Sequence, residues 1–450
     1  MALQAAIEQY HGLLTDEMAE DTQAQLDAQL AKRGLFFGSR PLCTVLRPRF
    51  LTATQYAFLQ RACAPLMSAF SKAYDAAMMD SGMLAQFALD DWEHELIAQD
   101  PGFKDPSPVS RLDAFFVHDR GGLRFTEYNA ETPAAAAYND VLAEVFLGLP
   151  VMREFLKQYE VRPQPSRQNV MHALIDAWQQ FSGRRTLPRV TILDWNDVPT
   201  YSEFVIVAEY LRSQGLDCTI ADPANAEYSN GRLVVDGFTP DLIYKRVLIS
   251  ELVERGGMDH PVIRAVRDRA VCMVNPFRCK ILHKKASLAV LSDERNERLF
   301  TDTERRSIDA YIPWTRRVEE RKTRWQGKDV DLVPFIVEHR ENLVLKPNDE
   351  YGGTGIVLGW QADTQAWERA VRRALNEPFV VQERVDIPFE PYPSMVNGKV
   401  AFHDRILDTA PFIYYGSFMD GCLTRLSTAA LVNVTAGGGS SLATFVVEPR

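Results

Sequence analysis

Along the first hundred residues, apolar positions recur three or four apart in Ala-, Leu-, Gln- and Met-rich stretches. They predict helices, broken at residues 34–48. The pattern then changes to alternation. Residues 111–117 and 123–129 have strand composition and flank His118-Asp119-Arg120-Gly121-Gly122, whose glycines suit the positive φ of a short hairpin loop. After Thr132-Pro133, which sits where a helix cap and first turn belong, residues 134–159 read as helix, and the polar, proline-rich residues 161–168 read as a linker.

A second pattern starts at RVTILDW (189–195). A helix from about Tyr201 and the strand LDCTIAD (216–222) complete a strand, helix, strand order, and RLVVDG and PDLIYKRV add two strands. The expectation is a small Rossmann-like unit over 165–270 without GxGxxG, so dinucleotide binding is not indicated. From about 270 the chain returns to helix and sheet. ENLVLKPNDEYGGTGIVLGW reads as strand, glycine loop, strand; a helix around 363–375 precedes PFVVQERV; and VAFHDRIL, CLTRLS and LVNVTAGGGSSLATFVVE read as antiparallel strands.

Composition narrows the class. At 450 residues the chain can form several structural units, and a net charge of −10 without long basic runs argues against a nucleic-acid partner. Six cysteines without CxxC spacing and eight histidines without an HxxxH pair suggest neither zinc nor a disulfide framework. With no signal-peptide pattern and no apolar run of membrane-spanning length, the expected location is the cytoplasm, away from the membrane. A homodimer is the default assembly.

The hairpin carries the first candidate chemistry. Folding it about Arg120 sets Asp113 opposite Glu127 and Arg111 opposite Asn129, all four on one face, with Phe115–Phe125 and Val117–Leu123 continuing it; a bulge in the loop would shift this register by one. Opposed carboxylates repel unless a positive group lies between them. A divalent cation answers that need, since two carboxylates and an amide oxygen form a hard-oxygen set suited to Mg²⁺. The competing reading is a solvent-facing hairpin whose acids Arg111 neutralises.

The second candidate lies in VLKPNDEYGGTGIVL. Lys346 ends a strand ahead of Gly352, Gly353 and Gly355, the reverse of a P-loop, in which lysine follows the glycines. Such a loop can fold over phosphates because glycine lets the backbone approach closely and present its amides. Lys284 or Lys285, at a helix start, offers another cation. VVQERV (380–385) reads as a strand ending in Gln382-Glu383, either a hinge that reads adenine and ribose or an edge strand turning polar.

These motifs together resemble the ATP-grasp superfamily. Because Arg111-x-Asp113 and Glu127-Tyr-Asn129-Ala-Glu-Thr132-Pro133 precede Lys285-Ala, Lys346-Pro and Gln382-Glu383, the order is similar to the circularly permuted ATP-grasp group, in particular the synthetase module of glutathionylspermidine synthase. The resemblance spans most of residues 110–450. It departs in the phosphate loop, where Asp349-Glu350-Tyr351-Gly352-Gly353 replaces the usual Arg-Glu-Gly.

The resemblance implies an α+β / α/β, circularly permuted ATP-grasp fold: a helical segment and the permuted metal-binding part over 1–160, a Rossmann-like pre-ATP-grasp domain over 165–270, and nucleotide-binding subdomains over 271–450. It implies an ATP-dependent carbon–nitrogen ligase joining small-molecule carboxylate and amine substrates through an acyl phosphate. Mg²⁺ would be held by Asp113, Glu127 and Asn129, with Arg111 steadying the transferring group. Lys285, Lys346, Gly352, Gly353 and Gly355 would hold ATP phosphates, and Gln382 and Glu383 the nucleoside. Arg405, Arg425 and the Gly437-Gly438-Gly439 run have no assigned counterpart. The alternatives are an ATP-dependent phosphotransferase and a non-catalytic ATP-binding regulatory protein.

Overall fold

A computed structural model describes residues 2–117, 122–350, 352–428 and 439–450. Within these the chain is a mixed α and β structure built on three main sheets. The hairpin loop at 118–121, Tyr351, and the first part of the expected strand run LVNVTAGGGSSLATFVVE, 431–438 with Gly437 and Gly438, lie outside the described residues.

The largest sheet runs Phe389–Val396, Lys399–Leu407, Phe418–Ser427, Ala410–Tyr414, Val109–Val117, Gly122–Asn129, with Ser440–Leu442 also paired to Phe418–Ser427. The hairpin therefore joins strands nearly three hundred residues later, through Phe412 opposite Arg111 and Tyr414 opposite Val109. Expected pairs Arg111–Asn129 and Asp113–Glu127 are present, but the register slips between Asp113 and Ala114. Phe115 consequently faces Arg124, and Val117 faces Gly122, rather than Phe125 and Leu123.

The cause of the slip is Thr126, an extra residue on the second strand that returns Phe125 and Leu123 to the opposite face. There they are buried with Leu112, Ala114, Phe116 and Tyr128 against the helix Ala53–Met79, Phe70 and Tyr128 lying ring to ring at 4.6 Å. That helix starts with a capping box between Thr52 and Gln55, which satisfies two of its free amide donors. One face of the hairpin is thus anchored in a hydrophobic core, and the other is left for polar side chains.

The second sheet is parallel throughout, in the order Cys272–Val274, Leu242–Lys245, Val190–Leu193, Cys218–Ala221. Its strands are buried almost completely, as expected where helices cover both faces. The RLVVDG run lies outside it, in a ribbon with Ala226–Ser229. The third sheet is antiparallel, in the order Thr315–Arg317, Phe379–Glu383, Leu343–Pro347, Val357–Leu358; a core around fully buried Trp367 packs it against helices Leu332–Glu338 and Thr364–Ala374.

The predicted linker at 161–168 is a correction. Tyr159–Arg162 pairs with the C-terminal strand Thr444–Pro449, which also runs parallel to Arg49–Leu51, and the helix Ser166–Ser182 follows at once. Backbone pairing with an apolar strand outweighs the local signal of the prolines. Among the described residues, no helix is long and apolar enough to cross a membrane.

Candidate active site

A cavity of about 530 Å³ opens where the three sheets meet. Its lining includes Arg111, Asp113, Glu127, Asn129, Lys346, Gly352, Gly353, Gln382 and Glu383. Most of the side chains picked out in the sequence, drawn from segments more than two hundred residues apart, therefore share one space. Lys285 and Gly355 are not in the lining, though Lys285 pairs with Glu127, which is, and Gly355 precedes Ile356, which is.

On the hairpin face, Arg111 donates to Asp113 from Nε (2.6 Å to Oδ1) and Nη2 (3.1 Å to Oδ2), while Nη1 donates to the Ala134 carbonyl (2.9 Å). Arg425 is a second partner. Its Nη2 lies 2.7 Å from Asp113 Oδ2, and its Nε donates to Asp408 at 2.6 Å. Burial works to raise the Asp113 carboxyl, but Arg111 and Arg425 together hold it far below the usual carboxylate range. Asp408 is raised, because burial and the neighbouring Asp113 charge outweigh Arg425.

Lys285 and Lys346 converge on Glu127. Lys285 Nζ is 3.0 Å from Glu127 Oε1 and donates to the Glu350 carbonyl at 2.5 Å. Lys284, the other candidate, turns away into a buried ion-pair group with Glu93 (2.7 Å) and Asp349 (3.0 Å). Lys346 donates to Gln382 Oε1 (2.6 Å) and to the carbonyl of the bulged Thr126 (3.1 Å), so the bulge itself aims an acceptor into the site. Burial pushes the Lys346 ammonium down to about 8, against the opposing pull of Glu127. Glu127 is held below its ordinary value, because Lys285 and Lys346 outweigh burial and the Asp113 charge.

The glycine loop is sewn to the start of the helix Ala286–Ser292, which Lys285 precedes. Asn348 accepts from the Ala286 amide through its side chain (2.9 Å) and from the Lys285 amide through its carbonyl (2.9 Å). Gly352, Gly353 and Gly355 all have left-handed φ values, 65°, 80° and 70°, which favour glycine. A Cβ at Gly355 would lie 2.8 Å from the Pro347 ring. Gln382 donates to Thr315 Oγ1 (3.0 Å), and burial raises the Glu383 carboxyl. Beside them the Arg384 guanidinium sits 4.4 Å from the Trp360 ring centroid, both lining the cavity next to Val344, Ile356 and Leu358.

Sequence reasoning missed Asp408 and gave Arg425 no role; only the pairing of the hairpin with late strands brings them to Asp113. It also missed Asp194 and Arg246, which the ends of the parallel strands add to the lining, and Glu251, which the helix Ile249–Gly256 adds. Beneath the site, Glu131 is buried among Lys245 (3.3 Å), Lys280 (3.3 Å) and the Ile249 amide (2.7 Å). The available signal for Arg246 and Asp194 was position, each being the first residue past a fully buried strand, LIYK and VTIL. Arg405, on the strand Lys399–Leu407, does not line the cavity.

The donor set around Asp113 fits a metal that arrives with a polyanion. Three carboxylates, Asp113, Glu127 and Asp408, face four cations, Arg111, Arg425, Lys285 and Lys346, leaving a surplus of positive charge. A bare cation is disfavoured there, whereas a metal–phosphate complex is matched. Among the described residues, no group of three or more His, Cys, Asp or Glu is placed to hold a metal. Asn129 adds a buried amide nitrogen without a partner; a half-turn of the amide exchanges it for an oxygen able to ligate.

No family model matches the chain. Over 252 residues it is 23% identical to a protein of Frankia casuarinae named putative glutamate–cysteine ligase 2-2; the match covers 51% of this chain and 27% of that protein's length. The chain shares its fold with a glutathione synthetase-like effector, GSS30, from Globodera pallida. The TM-score is 0.61 at 12% identity, covering 96% of this chain and 98% of that one. A putative gamma-glutamylcysteine synthetase from Methylobacillus flagellatus is also similar over 88% of this chain and 89% of its own, with a TM-score of 0.44 and 13% identity.

Proposed function

We propose that the chain is a Mg²⁺- and ATP-dependent carboxylate–amine ligase of circularly permuted ATP-grasp architecture, similar to the synthetase module of glutathionylspermidine synthase and acting through an acyl phosphate. The observation that carries this reading is the convergence of the hairpin acids, Lys346, the glycine loop and Gln382-Glu383 on one cavity. The pairing of an early hairpin with late strands supports the permuted order, and the parallel sheet supports a separate substrate-holding unit over 165–270. The names of the Frankia and Globodera proteins, a putative glutamate–cysteine ligase and a glutathione synthetase-like effector, support the ligase class.

When bound, Mg²⁺ with ATP would supply the γ-phosphoryl group to a substrate carboxylate, giving the acyl phosphate as the bond to the β-phosphate breaks and ADP leaves. The residues of the chain position and neutralise. Asp113, Glu127 and Asn129 would hold the metal. Lys285 would leave Glu127 for phosphate oxygens, and Lys346 would turn from Gln382 towards them. Arg111, fixed at Asp113 and at the Ala134 carbonyl, would steady the transferring group. The amine then attacks the acyl carbon, phosphate leaves and the amine loses a proton, with no protein nucleophile required.

One observation favours a second reading, a nucleotide-binding protein without turnover: both Asp113 oxygens are already occupied by arginines. The test is an ADP-release screen of carboxylates paired with amines, with mass detection of the condensed product. Amine-dependent ADP release supports the ligase. Release without an amine points to a phosphotransferase, and nucleotide binding without release to the non-catalytic reading.

A further inference from the structure

The glycine loop opens with an acid, Asp349, two residues past the strand that carries Lys346. A carboxylate at the root of a loop that is to fold over a polyphosphate repels it unless its charge is committed elsewhere. It is committed to two lysines. Lys280 Nζ donates to both Asp349 oxygens, at 2.8 and 2.6 Å, and Lys284 Nζ lies 3.0 Å from Oδ2. Both lysine side chains are buried, at 3% and 2% exposure.

These lysines belong to a larger buried charge group. Lys280 also meets Glu93 and Glu131 at 3.3 Å each, Lys284 meets Glu93 at 2.7 Å, and Lys245 meets Glu131 at 3.3 Å. Three lysines thus face three acids. Burial pushes the neighbouring His283 imidazole down to about 4, so at neutral pH it adds no charge. The Glu93 and Glu131 side chains are fully buried, whereas Asp349 keeps 28% of its surface exposed. Asp349 is therefore the acid that a movement of the loop would withdraw, and its withdrawal would leave surplus positive charge in a buried group, which is strongly unfavourable. The preceding residue fixes the backbone as well. The Asn348 amide donates to the Pro378 carbonyl and its side chain to the Phe87 carbonyl, both at 2.9 Å.

We infer that Asp349 is a positioning residue for the nucleotide: seated on Lys280 and Lys284, it anchors the root of the glycine loop, so that the loop presents its backbone to the phosphates from a fixed origin. The inference rests on the nucleotide-binding part of the ligase reading and gives a role to a residue that does not line the cavity. Its sign separates it from simple electrostatics. By charge alone, removing an acid beside a phosphate site tightens ATP binding; by loss of the anchor, it weakens it. The same charge group joins the loop to the rest of the site, since Glu131 lies two residues past Asn129 and Lys245 ends a strand of the parallel sheet.

The test reads two quantities on the full chain, the melting temperature and, by titration calorimetry with Mg²⁺, the affinity for a non-hydrolysable ATP analogue. Asp349→Asn should lower the melting temperature, because the buried group gains a positive charge, and weaken analogue binding roughly tenfold. Asp349→Asn combined with Lys284→Met balances the charges again. The melting temperature should then recover while analogue affinity stays low, because the anchor is still missing. Recovery of both together would reduce Asp349 to a structural role and overturn the inference, as would analogue binding that is unchanged or tighter in Asp349→Asn. Where the single variant does not fold, the charge-balanced one carries the comparison with the parent. Hydrogen exchange on the unaltered protein supplies a reading without variants: the Lys285 and Asn348 amides should be protected with or without the analogue, and the segment 353–356 should gain protection only with it. Rapid exchange of those two amides in the free protein would overturn the anchor and leave the nucleotide-binding reading standing. Absence of analogue binding to the unaltered protein would remove both.

Discussion

Lys346 provides a direct test of the proposed phosphate site. Burial lowers its ammonium from an ordinary value of 10.5 to about 8, a cost to the charged form of at most about 3 kcal/mol. A polyphosphate placed beside it would restore the charge, so its proton affinity must rise on nucleotide binding. The sign follows from the two states. Well below pH 8 the lysine is charged before and after binding, and affinity does not depend on its titration. Above pH 8 the free protein has lost the proton that the complex needs, so ATP affinity should fall, by at most about tenfold per pH unit, with about half a proton taken up per nucleotide at pH 8. Titration calorimetry in buffers of different ionisation enthalpy reads both quantities. Lys346→Arg should keep the affinity and flatten its pH dependence, and Lys346→Ala should weaken binding roughly tenfold to a hundredfold at pH 7. Nucleotide affinity that is level from pH 7 to 9.5 in the unaltered protein, or proton uptake that persists in the arginine variant, would refute the assignment.

Other perturbations test the hairpin and its supports. Glu127→Ala and Asn129→Ala should each abolish Mg²⁺-dependent ADP release while circular dichroism and the melting temperature stay near those of the parent; retained turnover would remove them as metal ligands. Asn275→Ala should destabilise the protein by about 2–4 kcal/mol in denaturant titration, because this buried amide donates to the carbonyls of Val109 (2.7 Å), Ala130 (2.8 Å) and Glu131 (3.0 Å) and accepts from the Val109 amide. Glu390→Ala would leave Arg47 and Arg49 buried without their shared carboxylate, at a cost of about 3–5 kcal/mol. Burial raises the Glu390 carboxyl but the two arginines bring it down to about 2, below its ordinary 4.5, so its stabilisation is complete above pH 4.5 and is lost as pH falls from there towards 2. Melting curves of parent and variant should converge over that interval.

Elements whose signal is local were legible in the sequence. The hairpin pairs Arg111–Asn129 and Asp113–Glu127, the strand that carries Lys346 and runs one residue further, to Pro347, and the parallel order of 190–193 and 218–221 follow from alternation and turn chemistry within short windows. The Thr126 bulge was not legible, because nothing in RFTEYN distinguishes a regular strand from one that must bury Phe125 and still present Glu127. Burial decided it: Phe125 lies in the core at 0% exposure, and the extra residue lets both demands be met. Residues 389–396 and 410–414 were missed as strands, since Pro391, Pro393 and Pro411 mask an alternating pattern that an edge position tolerates in one case and a bulge in the other. Asp408 and Arg425 reach Asp113 only through long-range pairing of the strands that flank them, information no window holds.

The segment that follows the hairpin explains why the two walls of the cavity act as one site. Arg111 donates to the Ala134 carbonyl, and Arg246, from the parallel sheet, donates to the adjacent Pro133 carbonyl. Ala135 holds a left-handed φ of 80°, unfavourable for a residue with a Cβ, and the Ala137 amide is tied to Glu203 at 3.2 Å, the same acid that faces Arg246. Two residues upstream of Pro133, Glu131 is locked between Lys245 and Lys280. Consecutive carbonyls thus fix Arg111, beside Asp113, at a set spacing from Arg246, at the end of the strand Leu242–Lys245. A carboxylate to be activated must be presented to the phosphates from a fixed grip. Under the proposed ligase reading, a chain that placed these arginines on independently moving loops would lose that spacing, and with it the orientation that transfer would need.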